Sequence, residues 1–119
     1  MIKGHCHCGA VTIQIPCLPQ TLTSCNCSLC RRIAGLWGYY EFGTVRVKGH
    51  PEHTQQYVQG DKTLATVRCA HCGCVTHWVP LPEVAGARHG VNLRNFDPKL
   101  LDKIPVRQFD GADSWQFLD

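Results

Sequence analysis

The stretch GHCHCGAVTIQI (Gly4–Ile15) joins two signals that organise the rest of the chain. Its second half alternates. Val11, Ile13 and Ile15 share one face while Thr12 and Gln14 share the other, the period of a half-buried strand. Its first half is a C-x-C-G knot, Cys6 and Cys8 followed by Gly9. Cysteines two residues apart rarely pair with each other but chelate a metal well. In the later C-x-x-C-G cluster (Cys69–Gly73), which resembles a zinc knuckle, Gly73 relieves the crowding created when backbone N–H groups turn inward toward sulfur. The stretch therefore predicts a short strand hung from a metal-binding loop.

Further strands are expected on the same grounds at Leu36–Phe42, Val45–Lys48, Thr54–Gln59, Thr63–Cys69, Val75–Val79 and Gly90–Phe96. Each is short, rich in β-branched or aromatic residues, and bounded by Gly, Pro or His. Helix is scarce. Cys25–Ala34 can form a turn or short helix, and Pro98–Lys103 one turn with Asp97 as its cap. Pro80–His89 reads as a loop. In the tail from Pro105 to Asp119, Trp115 and Phe117 point to a segment that packs back on the sheet. The expected class is all-β, with short antiparallel strands, little helix and metal-bearing loops, in one domain over residues 1–119.

Composition narrows the function. The 119 residues are 44% hydrophobic and 18% charged, which excludes a disordered chain. A net charge of +3 with scattered lysines and arginines argues against nucleic acid as a partner. No apolar run reaches the ~18–20 residues of a membrane span, so no membrane partner is expected. The opening MIKGHCHCGAV lacks the apolar stretch of a signal peptide, and a cytoplasmic location is the expectation. The nine cysteines are an odd number at close spacing, which favours metal ligation over a disulfide framework.

Seven of the nine fall into three clusters: Cys6 and Cys8; Cys25, Cys27 and Cys30; Cys69 and Cys72, the last followed by Gly73. Two plus two makes a closed tetrahedral set, the usual structural zinc arrangement. Ligands so far apart in sequence would tie the first strand to the later sheet. Treated as a crosslink, such a closure is worth up to about 4 kcal/mol. A redox dithiol at Cys69 and Cys72 is the competing reading. The trio Cys25, Cys27 and Cys30 leaves one position of a tetrahedral ion open, as catalytic zinc requires. Alternatively Cys17, Cys74 or one of His5, His7, His50, His53, His71, His77 and His89 closes it.

Three thiolates outweigh the charge of zinc, so such a centre is a poor generator of hydroxide. It suits the binding of an incoming thiol as thiolate, a nucleophile for a small electrophile. Arg31 and Arg32 follow directly; they either offset the negative charge and hold a substrate carboxylate, or are solvated surface residues. Trp37 and Tyr39 share one face of the next strand, with Tyr40 and Phe42 on the other. One face is core, and the other can wall a pocket beside the metal. Asn92, Arg94 and Asn95 are either polar contacts for a peptide-like substrate or surface positions. Cys17 is expected to be a small buried hydrophobe, and Cys74 core packing or an accessory thiol.

The ordered patterns G-x-C-H-C-G-A-V (Gly4–Val11), C-x-C-S-x-C-R-R (Cys25–Arg32) and C-x-x-C-G (Cys69–Gly73) resemble the glutathione-dependent formaldehyde-activating enzyme family, which also contains the centromere protein V domain. GVNLRNFDP (Gly90–Pro98) is similar to that family's late Asn/Asp-containing strand and turn. The resemblance implies a zinc-bearing β-tent fold with two Zn2+ per chain: a structural ion on Cys6, Cys8, Cys69 and Cys72 and a catalytic ion on Cys25, Cys27 and Cys30. It implies a carbon–sulfur lyase that condenses glutathione with formaldehyde to S-(hydroxymethyl)glutathione, so the expected partners are a small-molecule thiol and an aldehyde. His71 and His77 are candidate acids for the alkoxide. The alternative is a non-catalytic zinc module that binds a protein partner, with both sites closed. A methionine sulfoxide reductase of the B type shares the fold, but it needs a cysteine on a late strand, and none follows Cys74.

Overall fold

The computed structural model describes residues 1–119 and builds two sheets. The strands, in chain order, are β1 (Ile2–His5), β2 (Thr12–Ile15), β3 (Leu22–Cys25), β4 (Trp37–Glu41), β5 (Arg46–Lys48), β6 (Thr54–Val58), β7 (Leu64–Cys69), β8 (Val75–Pro80), β9 (Arg88–Asn92) and β10 (Val106–Phe109). Two single-turn helices are α1 (Cys30–Ile33) and α2 (Pro98–Leu101), and a 3-10 turn covers Leu93–Asn95. The all-β expectation holds. The smaller sheet runs β1-β2-β5 and the larger β10-β3-β4-β9-β8-β7-β6.

The alternation in the opening stretch does what its period requires. Ile13 and Ile15 are fully buried, and with Leu22, Val91, Leu93 and Phe96 they form the main core between the sheets. Each such aliphatic side chain contributes about 1.5–3 kcal/mol when fully buried. A smaller core of Cys6, Val11 and Cys69 lies where the sheets meet, and a third of Ala65, Val67 and Val79 lies under β7 and β8. α2 begins as its sequence demands: Asp97 Oδ1 accepts from Lys99 N at 3.0 Å, and Pro98 occupies the first turn.

Three strands escape the periodicity. IKGH, LTSC and VRQF are four residues each and mostly polar, so no alternation of useful length exists in them. The expected strand at Gly90–Phe96 starts earlier, at Arg88 inside the expected loop, and stops at Asn92, where the chain turns. β10 is a further correction. It lies parallel to β3, with Val106 opposite Leu22 and Phe109 opposite Cys25, so the sheet is not wholly antiparallel. The tail then folds back as expected, Phe117 bridging to Phe109 and Trp115 packing on Phe109 with ring centroids 5.0 Å apart. Its rings lie on the edge strand and stay largely exposed, Trp115 at 69%.

No helix is long and apolar enough to cross a membrane.

Candidate functional site

Two knuckles of matching design bring the first four cysteines together. In the first, Cys6 N donates to Val11 O, Gly9 N donates to Cys6 O at 3.0 Å, and Val11 N points at Cys6 Sγ at 3.3 Å. In the second, Cys69 N donates to Cys74 O, Gly73 N donates to Cys69 O at 3.0 Å, and His71 N points at Cys69 Sγ at 3.4 Å. Both glycines sit at positive φ, 84° and 80°, where a side chain would be strained. The sulfurs of Cys6, Cys8, Cys69 and Cys72 all lie within 4.8 Å of one another. Cys6 and Cys8 are 3.7 Å apart, and Cys8 and Cys69 are 3.6 Å apart. Sulfurs held at ~2.3 Å on a tetrahedral zinc stand about 3.8 Å apart, so the donor set fits that ion.

Electrostatics favour a cation among these sulfurs. Backbone N–H groups of Cys74 and Cys8 pull the Cys72 thiol down to about 5. The Ala10 N–H also favours a thiolate at Cys8. There it is outweighed by desolvation and by the sulfurs of Cys69, Cys6 and Cys72, which push Cys8 up to about 11. Sulfurs this close cannot all ionise unless a positive charge sits among them.

The trio is built from the end of β3 and the start of α1. Cys27 carries the turn. Its carbonyl accepts Arg31 N at 3.0 Å and its Sγ accepts Cys30 N at 3.2 Å, which occupies N–H groups a helix start otherwise leaves unpaired. Cys27 N in turn points at Cys25 Sγ at 3.5 Å. The three sulfurs lie within 4.8 Å of one another, and no fourth Cys, His, Asp or Glu donor joins them at that range. Burial opposes ionisation at Cys27, but the Cys30 N–H and its neighbours win and its thiol is lowered. Burial and the charge at Cys27 raise Cys30 well above the usual range, and burial raises Cys25. None of the nine cysteines is in a disulfide.

The other candidates fall into place around this frame. Arg31 and Arg32 are exposed on α1, and Arg32 is turned back onto the Ser28 carbonyl. Tyr39 is 38% exposed and its hydroxyl is raised, chiefly by burial, with Thr23 and Arg88 opposing and the charges of Cys25 and Cys30 adding. Trp37 is 2% exposed, its indole lying against Gly35, so on that face Tyr39 is the side chain open to solvent. Tyr40 and Phe42 face the cores, and Tyr40 donates to the Cys17 carbonyl. Cys17 itself is exposed, contrary to expectation, because it lies between Pro16 and Pro19 in a surface turn. Cys74 packs at the edge of the Cys6–Cys69 core and belongs to neither sulfur group.

Asn92 is not a surface residue, contrary to one of the two expectations for it. It is 5% exposed and its amide is consumed internally: Oδ1 accepts Leu36 N and Arg94 N, and Nδ2 donates to Val75 O. His77 is buried in a row with His50 and His89, ring centroids 5.1 and 5.5 Å apart, and His71 pairs with His53 at 3.1 Å.

Two open clefts of about 540 and 550 Å3 share Cys74, Arg94 and Asn95 as a common wall. Neither is lined by the trio; the first reaches α1 only at Arg32 and Ile33.

Sequence reasoning missed Arg88, whose guanidinium stands 4.9 Å over the Tyr39 ring. It also missed Asn26, between two of the trio, which bonds to Asp110. Strand pairing brings Arg88 to Tyr39, and the pairing of β10 with β3 brings Asp110 to Asn26.

Comparison with known proteins agrees with the cysteine pattern. Residues 1–105 match the family described as glutathione-dependent formaldehyde-activating enzyme. A Halomonas elongata protein provisionally named a glutathione-dependent formaldehyde-activating enzyme is 38% identical over 63 residues, covering 48% of this chain and 40% of that protein. The chain thus matches less than half the length of that relative. A crystal structure of a Rhodobacter sphaeroides protein superposes with a TM-score of 0.72 at 31% identity, covering 88% of this chain and 99% of the other.

Proposed function

Because the chain belongs to the glutathione-dependent formaldehyde-activating enzyme family, we propose that it adds a thiol, glutathione by the family's description, to a small aldehyde such as formaldehyde. The observation that carries this reading is the three-sulfur cluster of Cys25, Cys27 and Cys30 with no fourth side-chain donor beside it. A zinc ion held there would supply a vacant coordination position at which an incoming thiol loses its proton. The quartet Cys6, Cys8, Cys69 and Cys72 is a complete donor set and serves architecture.

The chain's own residues do the rest. Hydrogen bonds from Cys30 N and Cys27 N to sulfur orient the cluster. Tyr39 forms the wall, with the Arg88 guanidinium over its ring; Trp37 backs that wall from the core. Arg31, Arg32 and Arg88 supply positive charge for the carboxylates of a peptide-like thiol. In the addition, the sulfur–carbon bond forms as the carbonyl π bond breaks. The thiol proton ends on the new hydroxyl. The product is an S-hydroxymethyl adduct, and the reverse cleavage is a carbon–sulfur lyase reaction.

The test is metal content together with adduct formation, followed by NMR on labelled formaldehyde. Wild type is expected to carry about two zinc ions, and Cys27→Ser about one with the fold intact and the catalysed adduct lost. Undiminished catalysis by Cys27→Ser would overturn the assignment. Loss of folding in that variant would favour a closed, non-catalytic module.

A further inference from the structure

The segment after residue 105 lies beyond the family match, yet it reaches the trio directly. β10 runs alongside β3, so Phe109 ends opposite Cys25 and the chain continues over the cluster. Asn26, lodged between Cys25 and Cys27, holds it there. Asn26 N donates to Phe109 O at 3.2 Å, Asn26 Nδ2 donates to Asp110 Oδ1 at 3.0 Å, and Ala112 N donates to Asn26 Oδ1 at 3.0 Å. The other oxygen of Asp110 accepts Ser114 N and Ser114 Oγ at 3.1 and 2.8 Å, which closes the turn. Gly111 then presses on the cluster. A Cβ there would stand 2.6 Å from Cys25 Sγ, 3.2 Å from Cys27 Cβ and 3.5 Å from the Trp115 ring. Gly111 is not in the left-handed region, so its smallness serves contact and not conformation. The turn brings the exposed Trp115 indole to the rim of the cluster.

We propose that the Asp110–Trp115 turn is a positioning element of the Cys25/Cys27/Cys30 centre: the Asn26–Asp110 pair latches it, Gly111 seats Cys25, and Trp115 walls the rim. The proposal rests on the trio being a metal centre, as in the function proposed above. Its consequence is that retention of the ion by the trio depends on a hydrogen bond spanning 84 residues of sequence.

The test exploits the near-symmetry of the latch. Asn26→Asp places two carboxylates face to face. Asp110→Asn in the same chain restores a donor–acceptor pair with the roles exchanged. The zinc-loaded full chain is challenged with a chromophoric chelator and release is followed in time. Wild type is expected to show a faster phase from the trio and a slower one from the quartet. Asn26→Asp should accelerate the fast phase by about tenfold, and the double variant should return it to within about threefold of wild type, as expected for a single charge-assisted hydrogen bond. Gly111→Ala, which must displace Cys25 Sγ, should accelerate the same phase. The slow phase should not change in any variant and reports that the fold is intact.

Two phases with Asn26→Asp releasing like wild type, or failure of Asp110→Asn to rescue, would overturn the latch alone. A wild type that holds only the slow ion would overturn the metal reading of the trio and the latch with it.

Discussion

Three segments meet on the side chain of Asn92: the lead into β4 through Leu36 N, the start of β8 through Val75 O, and its own turn through Arg94 N. Its pattern of one acceptor and one donor group is not reproduced by any apolar residue of similar size. Asn92→Leu should therefore cost about 2–4 kcal/mol, since each lost bond is worth ~1 kcal/mol and buried partners are left unpaired. Urea unfolding of the zinc-loaded protein measures it.

The buried histidines act at the same scale. Desolvation, reinforced by His89 and His50, lowers His77 from 6.5 to about 3, and desolvation with His50 lowers His89 to about 4. His77 Nδ1 meets Thr76 Oγ1 at 2.8 Å, while His77 Nε2 and both nitrogens of His89 have no partner. Below pH 6.5 the unfolded chain takes up protons that the folded chain refuses. Stability is thus fully present above 6.5 and falls as the pH drops toward those lower values. The limiting slope is about 1.4 kcal/mol per pH unit for each histidine. His77→Gln should flatten the pH dependence of the urea midpoint between pH 6 and pH 5, two values chosen about this window, whereas acid loss of metal would affect both proteins alike.

At the scale of elements, β10 decides what the tail does. Phe109 is clasped by Trp115 and Phe117, each with ring centroids 5.0 Å away, and the Arg107 guanidinium lies 3.7 Å from the Phe117 ring centre. Arg107 also pairs with Asp119 at 2.9 Å, but both are exposed and such a pair adds little. Removing the aromatic clasp should free the turn without unfolding the sheets. Phe109→Ala is expected to speed amide exchange over residues 110–118 by at least about tenfold while β7 and β8 keep wild-type protection, read by hydrogen-exchange mass spectrometry. Equal protection in wild type and variant would mean that the backbone bonds and the Asn26–Asp110–Ser114 bonds hold the tail without the clasp.

For the whole molecule, the quartet is the joint between the two sheets. Cys6 and Cys8 follow β1 of the smaller sheet, and Cys69 and Cys72 sit at the β7–β8 hairpin of the larger. Only 24 of 119 residues are buried, so a metal held there would make up a large part of the stability of the fold. Cys69→Ser should abolish cooperative unfolding or cause aggregation, while Cys27→Ser leaves the transition in place; circular dichroism melts of both distinguish them. The sequence by itself determined the two sulfur groups, the alternating β2, the Asp97-capped turn and the all-β class. Knuckles, caps and two-residue periods are local: their ligands, glycines and faces lie within a few residues of each other. Only the tertiary structure decided that β10 runs parallel to β3, that Asn92 is an internal clasp, that Asp110 and Trp115 come to the trio, and that Arg88 lies over Tyr39. Those contacts join residues from distant parts of the chain, and a pairing set by long-range strand register leaves no trace in the composition or spacing of either segment.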